Sequence, residues 1–159
     1  MATDDILEAP DHQMAAPFVL GPGDGPTVRT PIGGPLAYKL RGEQTDGTVT
    51  IFESAAPPGA GPPRHVHEHS EECIYVLEGD VRVSIGDEVR SAPAGAFAFI
   101  PRGCPHTWRN VGSGHARLLV VFSPAGIERF FDEFDALPAG AATETTFADL
   151  APIADMKVI

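Results

Sequence analysis

Three of the six histidines in this chain, His65, His67 and His69, fall in the stretch PPRHVHEHSEECIYVLEG, residues 62–79, together with Glu68, Glu71 and Glu72. Such a cluster is a solvated polar loop, a pH-sensitive patch or a metal site. Spacing favours the metal. His65 and His67 are two apart, which on a strand places both imidazoles on one face and turns Arg64 and Val66 to the other. Glu72 opens the next apolar run in phase with Ile74 and Val76, and Gly79 ends that run in a turn. A second stretch, GAFAFIPRGCPHTWRN, residues 95–110, brings His106 directly after a Gly-Cys-Pro turn. Three imidazoles and a carboxylate converging from neighbouring strands are borderline ligands suited to one divalent transition metal ion: iron, manganese, nickel, copper, cobalt or zinc. Glu71 competes with Glu72 for the carboxylate place. His69 is expected in the loop, His12 and His115 in solvent, and the Cys104 thiol is expected to point away from the metal.

The elements that must position these groups read as strands. LAYKLRG and GTVTIFES flank a turn signal at Asp46-Gly47, and a stiff APPGAGPP segment leads into the histidines. CIYVLEG, VRVSIG, DEVRSA, GAFAFIPRG, HTWRNV and ARLLVVFSP continue the pattern, at least eight short strands in all, as in an antiparallel barrel or sandwich. In SPAGIERFFDEFDALP, by contrast, Ile127, Phe130, Phe131, Phe134 and Leu137 recur at three- and four-residue intervals. That periodicity predicts an amphipathic helix over 124–137, with Ser123 as N-cap, Pro124 at the first helical position and its phenylalanines in the core. Residues 1–34 read as an N-terminal arm, 35–123 as the barrel, and 138–159 as a C-terminal tail with a short helix near TFADL. No internal repeat is evident. Trp108 lies two residues after His106 and is expected on the same inward face. Tyr38, Phe52, Phe97, Phe99 and Phe122 are further candidates for lining a pocket, with plain core packing as the competing role.

Composition narrows the functional classes. The chain has 159 residues, 43% hydrophobic and 21% charged, with 17 glycines and 16 prolines, a mixture suited to one domain of strands and turns. A net charge of −11 argues against nucleic-acid partners and anionic membrane surfaces, both of which need a basic face. No apolar run reaches the length of a membrane span. MATDDILEAPDHQ is acidic and polar, so no secretory leader is expected there, and two cysteines, read as free thiols, point to the cytoplasm. On CIYVL, Cys73, Tyr75 and Leu77 alternate with the inward residues, leaving both faces apolar. A homodimer is expected, with residues 1–35 contributing.

Gly59, His65, His67, Glu72 and Gly79, followed by Gly95, Pro101, Gly103, His106 and Asn110, resemble both signature motifs of the cupin superfamily. The resemblance covers residues 59–110 in detail and roughly 35–135 in strand pattern. It implies an all-β fold, a single antiparallel β-barrel of jelly-roll type with one C-terminal amphipathic helix. It also implies a metal held by His65, His67, Glu72 and His106, and it favours Glu72 over Glu71 through the step to Gly79. Within the superfamily the chain resembles small bacterial quercetin-dioxygenase-like proteins. That likeness implies a dioxygenase that takes a small enolic, flavonol-like or polyketide-like substrate and dioxygen, with Glu72 as both ligand and base. The same kind of site also serves redox-neutral cyclases, isomerases and lyases, and a non-catalytic binding barrel is the third reading.

Overall fold

The computed structural model describes residues 15–159. His12 and the first part of the expected arm lie outside the described residues. Eleven strands run in chain order: β1 (Thr27–Val28), β2 (Leu36–Leu40), β3 (Thr50–Ala56), β4 (His65–His67), β5 (Glu71–Glu78), β6 (Asp80–Ile85), β7 (Glu88–Pro93), β8 (Phe97–Ile100), β9 (His106–Asn110), β10 (Ala116–Ser123) and β11 (Met156–Val158). Three helices, α1 (Glu128–Asp135), α2 (Ala139–Glu144) and α3 (Phe147–Leu150), lie between β10 and β11.

The strands form two antiparallel sheets, one ordered β1-β2-β3-β10-β5-β8 and the other β11-β4-β9-β6-β7. They face each other as a jelly-roll and are not hydrogen-bonded into one closed cylinder. Alternation decides what lies between them. Phe52 and Ala56 on β3, Ile74 and Val76 on β5, and Leu118, Val120 and Phe122 on β10 are buried from one side. Val81, Val83 and Trp108 meet them from the other. Two close approaches require glycine. Gly79, at φ 91°, turns β5 into β6 where a Cβ would stand 2.9 Å from the Ala116 Cα. At Gly61 a Cβ would fall 2.0 Å from the Trp108 carbonyl oxygen. Asn110 ties down the turn before β10: its Nδ2 donates to the carbonyls of Ala56 (2.9 Å) and Gly114 (2.8 Å), and its Oδ1 accepts from the Gly112 N–H (2.9 Å).

α1 buries Phe130, Phe131 and Phe134 as its periodicity predicts, each worth about 1.5–3 kcal/mol of apolar transfer. Its start differs from the expected one. Ser123 is the last residue of β10, and Gly126 has φ 138°, outside any helix, so Ser123 and Pro124 cannot cap it. The first turn is held instead by the buried Glu128 carboxylate, which accepts from the Gly42 N–H (2.7 Å), the Thr50 hydroxyl (2.5 Å) and the Gly126 N–H (2.9 Å).

The C-terminal region is more ordered than a tail. The short helix expected near TFADL is α3, capped by Thr146, whose hydroxyl accepts from the Asp149 N–H (3.4 Å) while the Asp149 carboxylate accepts from the Thr146 N–H (2.7 Å). β11 then pairs with the histidine strand β4, Met156 opposite His67 and Val158 opposite His65. Among the described residues, no helix is long and apolar enough to cross a membrane.

Candidate metal centre

Three strands from both sheets build the site. β4 supplies His65 and His67, whose shared face turns inward because Val66 between them faces out. β9 places His106 directly opposite His65. β5, in the facing sheet, contributes Glu72, inward in the same phase as Ile74 and Val76. All four side chains are buried, at 4%, 4%, 1% and 5% exposure for His65, His67, His106 and Glu72. One ligand atom from each lies within 4.8 Å of every other.

Hydrogen bonds behind the rings set the tautomers. The His65 Nδ1–H donates to the Pro63 carbonyl (2.7 Å) and the His106 Nδ1–H to the Cys104 carbonyl (2.9 Å), so both Nε2 lone pairs point at the centre. There the His65 and His67 Nε2 atoms approach to 3.1 Å, the His106 Nε2 lies 2.8 Å from the Glu72 Oε2, and the His67 Nε2 lies 3.3 Å from that oxygen. Lone pairs of three imidazoles and a carboxylate facing one another repel unless a positive charge, a proton or a metal ion, lies among them. The His67 Nδ1 is buried without a hydrogen-bond partner in the protein. The donor set, two imidazoles whose Nδ1 atoms are tied back to carbonyls, a third imidazole and one carboxylate, fits a divalent transition metal ion.

Burial and neighbouring groups act differently on His65, Glu72 and His106. Burial pulls His65 down to about 4, so it stays neutral and available as a ligand. For Glu72, burial pushes its carboxyl up, but hydrogen bonds from His106 and His67 outweigh it and hold the group well below the usual carboxylate range. Burial likewise lowers His106, and the hydrogen bond and charge of Glu72 reverse this and raise it. The carboxylate is therefore ionised and draws positive charge toward itself.

The other expected participants separate clearly. Glu71, on the opposite face of β5, is half-buried and faces Arg102 (3.3 Å), away from the cluster. His69 and His115 are exposed. Cys104 contributes its carbonyl, while its thiol lies 3.8 Å from the Pro105 carbonyl. A cavity beside the ligands is lined by three of the candidates, Phe52, Trp108 and Phe122, which also pack in the core, with Phe122 edge-on to His67 at 4.8 Å between ring centroids. Phe97 and Phe99 do not line it. They are 63% and 52% exposed, because the pairing of Glu72 with Ile100 turns Ile100 and Ala98 inward and both phenylalanines outward. Tyr38 is buried elsewhere, its hydroxyl 3.1 Å from Asp132 and its ring under the Arg41 guanidinium.

Sequence reasoning missed part of the wall. Phe131 of α1 lines the cavity as well as filling the core, and Phe147 and Met156 close it from the C-terminal region. The Phe147 ring lies 5.2 Å from His65. A detectable signal was Phe147 directly after the Thr146 cap, an aromatic residue following a stretch rich in alanine and threonine.

Residues 52–122, which span all four candidate ligands, match the cupin domain family. The chain is 31% identical over 130 residues to quercetin 2,3-dioxygenase of Bacillus subtilis, covering 80% of this chain and 36% of that protein. It is 37% identical over 104 residues to polyketide synthase CurC of Streptomyces cyaneus, covering 64% of this chain and 60% of that protein. It thus spans about one third to three fifths of the length of these curated relatives. Among solved structures, TT1209 from Thermus thermophilus is 34% identical, with a TM-score of 0.53, covering 60% of this chain and 87% of that one. Two facing antiparallel sheets, a histidine–glutamate group buried between them and a family match bracketing that group lead to one assignment: the chain belongs to the cupin family.

Proposed function

We propose that the chain is a mononuclear metalloenzyme in which His65, His67, Glu72 and His106 hold one divalent transition metal ion, and that it acts as a dioxygenase on a small enolic, flavonol-like or polyketide-like substrate. The observation that carries this is the convergence of three imidazoles and one carboxylate in an otherwise apolar cavity. A metal bound there supplies Lewis-acid activation of an oxygen ligand and, if redox-active, electron transfer to dioxygen. Protein groups do the rest. The Pro63 and Cys104 carbonyls lock the His65 and His106 rings, so their lone pairs need no reorganisation. Glu72 is the one carboxylate of the group, so it is the residue placed to take the proton of an acidic enol hydroxyl. His106, 2.8 Å from the Glu72 Oε2, is within reach to share that proton. Phe52, Trp108, Phe122 and Phe131 exclude water and present apolar surface to an aromatic substrate.

Likeness to the B. subtilis quercetin 2,3-dioxygenase supports the oxygen-dependent reading. A redox-neutral cyclase, isomerase or lyase is the second reading, supported by likeness to the polyketide synthase CurC, a larger share of which this chain covers. The test is turnover of a panel of flavonols and enols by protein loaded in turn with iron, manganese, cobalt, nickel, copper and zinc, with and without oxygen. Turnover coupled to oxygen uptake supports the dioxygenase. Equal turnover without oxygen retires it in favour of the redox-neutral enzyme, and Glu72→Gln should abolish either activity while retaining part of the metal.

Assembly and location belong to the same proposal. Tyr75, Leu77, Phe97 and Phe99 form an exposed apolar face on β5 and β8, which suits a homodimer. The free thiols of Cys73 and Cys104 accord with a reducing cytoplasm.

A further inference from the structure

The cavity beside the ligand group measures about 30 Å³. That is room for about two or three waters, since a site needs roughly 10–15 Å³ to admit one. Pockets for drug-sized ligands run to about 300–1,000 Å³. An aromatic enol therefore cannot enter with every wall in its present place. Most walls cannot yield, because β3, β5, β9 and β10 each pair on both sides within a sheet.

The wall made by Phe147 and Met156 is built differently. β11 is the edge strand of its sheet and pairs only with β4, so peeling it off breaks no other ladder. Beyond that ladder the segment is held by the burial of Phe147, Leu150, Ala151 and Met156 and by polar ties at its surface. The Ile159 N–H donates to the Arg64 carbonyl (3.0 Å), and Arg129 on α1 meets Asp155 at 3.6 Å in an exposed ion pair of small energetic weight. That pair borders a second cavity of about 80 Å³, and Ile127 lines both cavities. On the inner side, Phe147 lies between Phe130, 4.7 Å away, and His65, 5.2 Å away. The residue that would leave with this segment thus covers a candidate ligand imidazole directly.

We propose that residues 146–158 are a lid over the metal site and that Phe147 sets the size of ligand the closed site accepts. With the lid closed, only diatomic or triatomic ligands fit. With β11 detached and Phe147 withdrawn, a planar aromatic enediol reaches the ligand group. This rests on the metal reading above and names the device by which that site takes a larger substrate.

The test locks the lid. Val66 and Lys157 are directly opposed across β4 and β11, on the faces away from the cavity. Opposed residues of antiparallel strands have Cα atoms about 4.5–5.5 Å apart, within the span a disulfide accepts. Val66→Cys/Lys157→Cys is made with Cys73→Ser and Cys104→Ser, loaded with cobalt(II), and titrated with azide and with 4-nitrocatechol. On oxidation, azide binding should be unchanged and 4-nitrocatechol association should slow at least about tenfold, recovering on reduction. Phe147→Ala added to the oxidised protein should restore 4-nitrocatechol binding. Equal 4-nitrocatechol rates in the oxidised and reduced forms overturn the lid and leave the metal reading standing. Absence of cobalt uptake by the unmodified protein overturns the metal reading, and the lid is then read without metal by amide exchange. Opening requires the Met156–Val158 amides to exchange at least about a hundredfold faster than those of β9, as a locally unfolding unit does. Exchange as slow as β9 overturns the lid.

Discussion

Glu128→Gln is an informative perturbation because one buried carboxylate positions the helix that walls the cavity. Its oxygens accept three hydrogen bonds, from the Gly42 N–H, the Thr50 hydroxyl and the Gly126 N–H, and so join β3, the turn after β2 and the first turn of α1. A glutamine keeps one acceptor oxygen and replaces the other with a donor. In one orientation the amide faces Thr50, whose hydroxyl can rotate to accept, and the Gly126 N–H is stranded. In the other the Gly42 N–H is stranded. Either way one buried donor goes unpaired, at about 1–3 kcal/mol, and the surviving bonds lose charge assistance. We expect a total of about 2–4 kcal/mol at pH 7, or roughly 5–15 °C in Tm for a chain of this size. The pH dependence gives a second check. Burial pushes the Glu128 carboxyl up, but the bond from Thr50 and the backbone N–H groups outweigh it and hold the group below its ordinary value. A depressed carboxylate contributes stability above its unfolded pKa and loses it as pH falls through the folded value. The gap between wild type and variant should therefore be full near neutrality and narrow below about pH 4. Urea unfolding of both proteins at pH 7 and pH 3.5 measures this. A gap under about 0.5 kcal/mol at pH 7, or one unchanged on acidification, refutes the reasoning.

Removing one of four ligands should cost more than the roughly 10–100-fold lost when an outer partner of a ligand is removed, so His106→Ala should weaken metal binding by more than about a hundredfold, read by calorimetry. Glu71→Gln, which faces Arg102, should leave metal content intact, and metal loss there with Glu72→Gln unaffected would reverse the assignment. Asn110→Ala removes three hydrogen bonds at a buried position and should destabilise by about 2–4 kcal/mol without altering metal stoichiometry, as denaturant unfolding and metal analysis would report. Light scattering at micromolar concentration should give the mass of two chains, and Phe97→Glu/Phe99→Glu should give one; a wild-type mass of one chain contradicts the homodimer.

Much of the candidate centre was legible because strand alternation is local. His65 with His67, Glu72 with Ile74 and Val76, and His106 with Trp108 share faces by a period of two, whatever the rest of the chain does. Alternation left Glu71 and Glu72 as competitors on opposite faces, and the preference for Glu72 came from the resemblance, through the step to Gly79. Phe97 and Phe99 mark where that rule stops. Period two says they point the same way and says nothing about which way. The pairing of Glu72 with Ile100 decided it, and pairing between strands 28 residues apart is not encoded in either strand alone. The α1 stripe was readable from its phenylalanines, while its first turn was set by Glu128 reaching Gly42 and Thr50, far upstream. The greatest surprise lay in residues 139–158, whose alanine-rich composition carries little periodicity. They take strand and helix structure because β4 offers an open edge and His65 an apolar ring face, and Met156 and Phe147 fill them. Local spacing thus determined which groups could meet a metal. The tertiary structure decided what closes over them, because a wall is made by contacts between segments distant in the chain.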